Sequence, residues 1–382
     1  MPGVKGPKAP DSRSRRGGPD VPKAPGGRLR RGGQGAPKAP DARPVPKGPR
    51  GQLRGLGLAA VRGRSQNFLK DAGAASRMAA LVSAEASLNA DAARTRPDGP
   101  LPGEAAVSLE RAVSLERAGP SERAGPGEGG GASAGSGRAD GAAAWILEVG
   151  PGLGALTRPL LDLGLRVRAV ELDRGLYAEM SKWPEASSGT LELVNADVLK
   201  LAPSDGFGRG VGCVCGNLPY GISTPFLFWF LEAFGGTVPG VFMLQTEVAA
   251  RLAAPPGRKE YGRLSVALGS WFEAREAFRL GPASFHPRPK VDSTVAVLRP
   301  TGSPPAVTPA ALGRITFVCF HSRRKTLANN LMASFPRDRV AAALEALGLD
   351  GARRPEEFPP EAFQRLALEF EDFRTGDGEG DG

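Results

Sequence analysis

The sequence is poor in the residues that staple or metallate a fold, with three cysteines and two histidines in 382 residues. Cys213, Cys215 and Cys319 are odd in number and sit in apolar contexts, which fits a reducing compartment better than a disulfide framework. With only His286 and His321 beside them, no zinc-binding spacing exists, and no metal is expected. No apolar run is long enough to span a bilayer, and the N-terminus lacks the apolar core of a secretion signal. The expected location is the cytoplasm.

Aromatic residues make up only 6% of the chain, and two long stretches have none. Residues 1–64 repeat a Pro-Lys-Ala-Pro theme beginning at Pro7, Pro22 and Pro37 and are dense in Gly and Arg. The second stretch, about 90–143, carries the tandem Val107–Ala112 and Val113–Ala118, then a glycine run at 129–131. Such compositions bury too little apolar surface to offset chain entropy, so both stretches are expected to be disordered. The first one also skews the charge. It holds 16 Lys+Arg against 3 Asp+Glu and leaves 34 against 37 elsewhere, so the formal net charge of +10 belongs to the tail. A basic arm suits salt-sensitive attraction to RNA; a solvated tail with no partner is the equal alternative.

From Ser65 onward the pattern changes. A helix is expected over about 71–86, and beyond the insertion short apolar runs alternate with helical spacings. Trp145–Val149, Arg166–Leu172, Leu191–Val194, Val211–Cys215, Gly240–Leu244 and Thr294–Leu298 read as strands. Asp173 is placed to cap a helix over about 174–183, and a strongly apolar helix fills 224–234. This alternation predicts an α/β fold with a doubly wound, mostly parallel sheet covered on both faces. Beyond Pro300 the pattern is helical, at about 309–321, 323–334, 337–347 and 359–371. The expected organisation is a tail at 1–64, a sheet domain at 65–300 interrupted by the insertion, a helical domain at 301–374 and an acidic end at 375–382.

Consecutive strand ends carry candidate cofactor ligands. Gly150-x-Gly152-x-Gly154 lies between a strand and a helix, where backbone N–H groups approach a ligand closely. Its spacing is not that of the dinucleotide fold, which together with the motif after the fourth strand excludes a Rossmann dehydrogenase. Glu171 ends the second strand, placed to accept from two ribose hydroxyls, and Asp197 ends the third, placed to accept from an adenine amine. Singly these read as solvated carboxylates; together on one sheet edge they define a cofactor site. After the fourth strand comes Asn217-Leu-Pro-Tyr220. An exocyclic adenine amine is a poor nucleophile because its lone pair is delocalised into the ring. The Asn217 amide oxygen and the Leu218 carbonyl, accepting its two N–H groups, localise that pair. Pro219 stiffens the turn and Tyr220 offers a face for the base.

From about Ser65 to the final helices, the chain resembles the KsgA/RsmA family of ribosomal RNA adenine dimethyltransferases. The resemblance rests on Gln66–Leu69, Glu148–Gly154, Val170–Asp173, Asn195–Asp197, Gly216–Tyr220 with Ile222–Pro225, Met243–Gln245, Tyr261–Ser265, Phe285–Ser293 and Arg323–Thr326. It implies a Rossmann-like methyltransferase fold with S-adenosyl-L-methionine as cofactor. Asn67 and Leu69 would cover it, Gly150 and Gly152 meet its methionine part, Glu171 hold its ribose, and Asp197 and Asn217 complete the pocket. It also implies that Phe285 stacks on the target base opposite Tyr220; from the residues alone, Phe285 reads equally as a core aromatic. The implied reaction is dimethylation of two adjacent adenines near the 3′ end of small-subunit ribosomal RNA, by a monomeric enzyme of ribosome biogenesis. The alternatives are the related large-subunit dimethyltransferase of macrolide resistance and a non-catalytic RNA-binding assembly factor on the same fold. Arg258-Lys259 and Arg323-Arg-Lys325 are candidate phosphate contacts.

Overall fold

A computed structural model describes residues 48–55, 66–95, 144–202 and 206–371. The expectations for 1–47, 96–143 and 375–382 lie outside the described residues.

Seven strands form the central sheet: β2 (Trp145–Val149), β3 (Arg166–Val170), β4 (Leu191–Val194), β5 (Val211–Asn217), β6 (Gly240–Gln245), β7 (Phe272–Leu280) and β9 (Ser293–Pro300). They lie in the order β4-β3-β2-β5-β6-β9-β7. The first five are parallel, and β9 runs antiparallel to both of its neighbours. The doubly wound, mostly parallel sheet is therefore present, with every expected strand in it. A separate two-stranded ladder joins β1 (Phe68–Leu69) to β8 (Phe285–His286).

The strands are apolar on both faces, as a covered sheet requires. Ile146, Val167, Cys213, Cys215, Val241, Met243, Val295 and Val297 pack on one side with Met78 and Val82 of helix Ala72–Thr95. Their alternates Leu147, Val214, Phe242, Ala296 and Leu298 pack on the other with Phe226, Phe230 and Phe234 of helix Ser223–Phe234. Phe242 meets Phe226 and Phe230 edge-on, at ring separations of 5.2 Å.

Two boundaries differ from expectation. Helix Ala72–Thr95 runs past 86 and through 90–95, where the insertion was expected to begin. Its second half is held from the side: Glu85, 2% exposed, takes Arg299 through both oxygens at 2.7 and 3.0 Å. The Asn89 amide also donates to the Gly212 carbonyl at 3.2 Å. Within the supposed tail, Pro49–Gly55 is a short helix whose Leu53 is buried against Phe68 and Leu176. One leucine with a partner is enough to order a turn that composition assigns to coil.

The C-terminal segment is helical as expected, at Pro309–Cys319, Leu327–Leu331, Arg337–Ala346 and Pro360–Glu369. Leu312, Ile315, Phe363 and Leu366 join the same apolar cluster as Phe230 and Leu268. The second helix is shorter than predicted because Thr326 caps it, accepting from the Asn329 amide at 3.3 Å. Asn330 holds the preceding turn through the Ser322 and Lys325 carbonyls.

Candidate active site

The carboxyl ends of β2, β3 and β5 open into a cleft lined by Asn67, Phe68, Leu69, Met78, Glu148, Gly150, Gly152, Leu153, Glu171, Leu176, Asn217, Leu218 and Pro219, among others. The edge of the sheet where parallel strands end is where open α/β folds bind ligands. Gly150 and Gly152 both have positive φ, 67° and 60°. Nothing stands within 4 Å of a Cβ placed on Gly150, whereas one on Gly152 would meet the Phe68 ring at 3.2 Å. The loop thus keeps a bare backbone against the open cleft.

Glu171 is buried, and both its oxygens are engaged by backbone. Oε2 accepts from the Gly152 amide at 3.0 Å and Oε1 from the Asp173 amide at 2.8 Å. Burial raises its pKa while these two amides pull it back. A carboxylate oxygen can accept more than once, so each keeps capacity for a hydroxyl. The Asn195 amide, bonded to the Glu171 carbonyl at 2.7 Å, fixes the strand end itself.

Asn217 is oriented by its surroundings. Its Nδ2 donates to the Asn67 carbonyl at 2.9 Å. A carbonyl accepts only from the NH2 end of the amide, so Oδ1 is the end left to accept from a ligand. The Leu218 amide donates to the Met243 carbonyl at 3.3 Å and so ties the turn to β6. Tyr220 is half-buried, with its hydroxyl 2.7 Å from Ser293 Oγ. Burial raises its pKa, and the Ser293 hydrogen bond opposes the shift.

Three sequence-predicted residues, Asp197, Tyr220 and Phe285, are not among those that line the cleft. Asp197 is not part of the cleft lining; its Oδ1 accepts from the Leu199 amide at 3.1 Å and caps the turn Val198–Lys200. Phe285 lies in the short β8 strand. It is 1% exposed and packs with Leu69, Met78 and Leu280, so its faces are covered by protein. This burial fits the core-aromatic reading of the ring, which the β1–β8 pairing sets directly across from Leu69.

Glu148 was missed. It is 1% exposed at the cleft floor, and its Oε2 is buried with no hydrogen-bond partner among the described residues. Burial pushes its pKa up to about 8, against an opposing pull from Thr157 and with reinforcement from Glu171. The signal in the sequence was a lone carboxylate inside the apolar strand Trp145–Val149. A glycine loop with open space before it, the Glu171 carboxylate and the orphaned Glu148 oxygen fit a polar cofactor.

The fold and this edge define a Rossmann-like methyltransferase. Residues 143–372 match the ribosomal RNA adenine dimethylase family, and the chain belongs to that family of S-adenosylmethionine-dependent enzymes. The chain is similar to ribosomal RNA small subunit methyltransferase A of Leptothrix cholodnii, 42% identical over 227 residues, covering 58% of this chain and 80% of the relative. The protein of that name from Legionella pneumophila is 42% identical over 224 residues, with 58% and 85% covered. Among solved structures, a dimethyladenosine transferase from Plasmodium falciparum is similar with a TM-score of 0.50 and 26% identity, over 60% of this chain and 90% of that one. Among the described residues, no helix is long and apolar enough to cross a membrane.

Proposed function

We propose that the chain dimethylates the 6-amino groups of two adjacent adenines near the 3′ end of small-subunit ribosomal RNA, acting as a monomer during subunit assembly in the cytoplasm. The observation that supports this reading is the Asn217 amide, whose Nδ2 is held by the Asn67 carbonyl, so that Oδ1 is the acceptor left in a cleft also lined by the glycine loop and Glu171.

When bound, S-adenosylmethionine supplies an electrophilic methyl group on a positively charged sulfur. Gly150 and Gly152 hold its methionine part, with Asn67 and Leu69 covering it and Glu171 holding the ribose. Asp197 keeps Oδ2 for the adenine at the outer end, since only Oδ1 serves the Leu199 amide. On the target base, Asn217 Oδ1 and the Leu218 carbonyl accept the two amine hydrogens and localise the nitrogen lone pair. No strong base is needed, because the amine becomes acidic only as the methyl group arrives. Tyr220 offers a ring face whose tilt is set by Ser293.

Arg258-Lys259 and Arg323-Arg-Lys325 supply phosphate contacts from the helical side. The two stretches are exposed and adjacent, because the Arg323 guanidinium donates to the Lys259 and Tyr261 carbonyls. The helical segment 301–374 is in this reading the RNA-holding part of the enzyme.

Asn217→Ala tests the chemistry. Single-turnover methylation of small-subunit particles at saturating cofactor should fall on the order of 100-fold or more, as when one preorganised polar group is lost elsewhere. Near-normal dimethylation would overturn the mechanism.

A further inference from the structure

The segment that covers the cleft is itself covered. Leu53, 5% exposed, packs against Phe68 and Leu176, with Leu153 on the same cluster. Phe68, Leu153 and Leu176 all line the cleft, and the Phe68 ring lies against the Gly152 backbone. One residue before Phe68 is the Asn67 carbonyl that accepts from Asn217. On its other side the segment is fastened by the β1–β8 ladder and by the Lys70 amide on the Ser284 carbonyl at 2.9 Å. A continuous path of contacts therefore runs from Leu53 through Phe68 to the Asn67 carbonyl and on to the Asn217 amide.

We propose that Leu53 is a positioning residue for methyl transfer, pressing Phe68 onto the glycine loop and so holding the carbonyl that decides which end of the Asn217 amide faces the substrate. The proposal rests on the role given to Asn217 above. Without that carbonyl the amide is free to turn its NH2 toward the amine, where donors would face donors. Leu53 thus acts from the short helix Pro49–Gly55, ahead of the segment that carries Asn67.

The test uses the full chain with Leu53→Asp, Leu53→Met and each combined with Asn217→Ala. Three quantities are read: thermal melting, calorimetric affinity for S-adenosylmethionine, and single-turnover methylation of small-subunit particles at saturating cofactor. Leu53→Asp should slow methylation about tenfold even at saturation, Leu53→Met should restore the rate, and the Asp change should add little once Asn217 is already Ala. If the Asp variant melts early, Leu53→Ala gives the same readout in its place. A merely sealing leucine would weaken cofactor affinity and leave the saturated rate alone. That result, or an undiminished effect on the Asn217→Ala background, would overturn the proposal. The two readings fail differently. A slow Asn217→Ala enzyme beside a normal Leu53→Asp enzyme removes Leu53 only, whereas normal methylation by Asn217→Ala removes the role of Asn217 and this proposal together.

Discussion

On the sheet side of the cleft, the ligand-facing groups are set by main chain: positive-φ glycines, amides clamping Glu171, and a turn fixed by the Leu218 amide on β6. On the opposite side, Asn67, Phe68 and Leu69 are held largely by packing, through Leu53, Phe285 and a two-residue ladder. The first wall is made by strands and the loops that follow them directly. The second arrives from the far side of residues 96–143, and Asn67 stands 150 positions from its partner Asn217. The difference teaches that the chemistry is precise on one wall and adjustable on the other.

Three changes probe this contrast. Phe285→Ala attacks the packed wall. Emptying a buried aromatic site should cost about 3–5 kcal/mol of stability, seen as a lowered urea midpoint. Unchanged stability with weakened RNA binding would instead return the ring to a stacking role. Glu171→Ala attacks the main-chain wall and leaves the Gly152 and Asp173 amides without their acceptor. Cofactor affinity measured by calorimetry should fall by about 100-fold, with a lowered melting temperature beside it from the two amides left unpaired. Equal affinity would remove Glu171 from the site.

A pH-dependent effect concerns the floor between the walls. Glu148 titrates near 8 when folded against an ordinary value of 4.5, so the folded state holds its proton where the unfolded chain has lost it. Its contribution is fully present below 4.5 and is lost as pH rises toward 8, by up to about 1.4 kcal/mol per pH unit. Glu148→Gln should remove that slope. Its melting temperature should gain on the parent between pH 5 and pH 8 and hold level above. Parallel melting curves across that range would show the carboxyl to be ionised in the folded protein.

Much of the main-chain wall was legible because each strand, its glycine or carboxylate, and the next helix are contiguous. Asp173 caps its helix as expected, accepting from the Gly175 and Leu176 amides. The packed wall was less readable. Nothing local in Leu53 announces Phe68 as its partner, and the burial of Phe285 depends on a ladder formed across 216 positions with Leu69. β7 escaped for another reason: its Glu273, Arg275, Glu276 and Arg279 give it the polarity of a surface segment. It is an edge strand, where charge discourages further pairing. Glu148 hid inside a run that otherwise looked wholly apolar. The helices Thr246–Leu252 and Arg263–Gly269 are short enough that their periodicity carried no weight.

One turn in the topology has a consequence for how such an enzyme changes over time. Because β9 runs against its neighbours, its beginning lies where β5 and β6 end, and Ser293 and Thr294 meet Tyr220 and Thr246 there. The stretch leading into β9 therefore reaches this edge from outside, while the glycine loop and Glu171 follow directly from strand ends. Insertions or deletions before Ser293 can reshape the substrate side without shifting the register of any parallel strand. Because that stretch also carries Phe285 and His286, which pair with Leu69 and Phe68, a change there moves both sides of the cleft together.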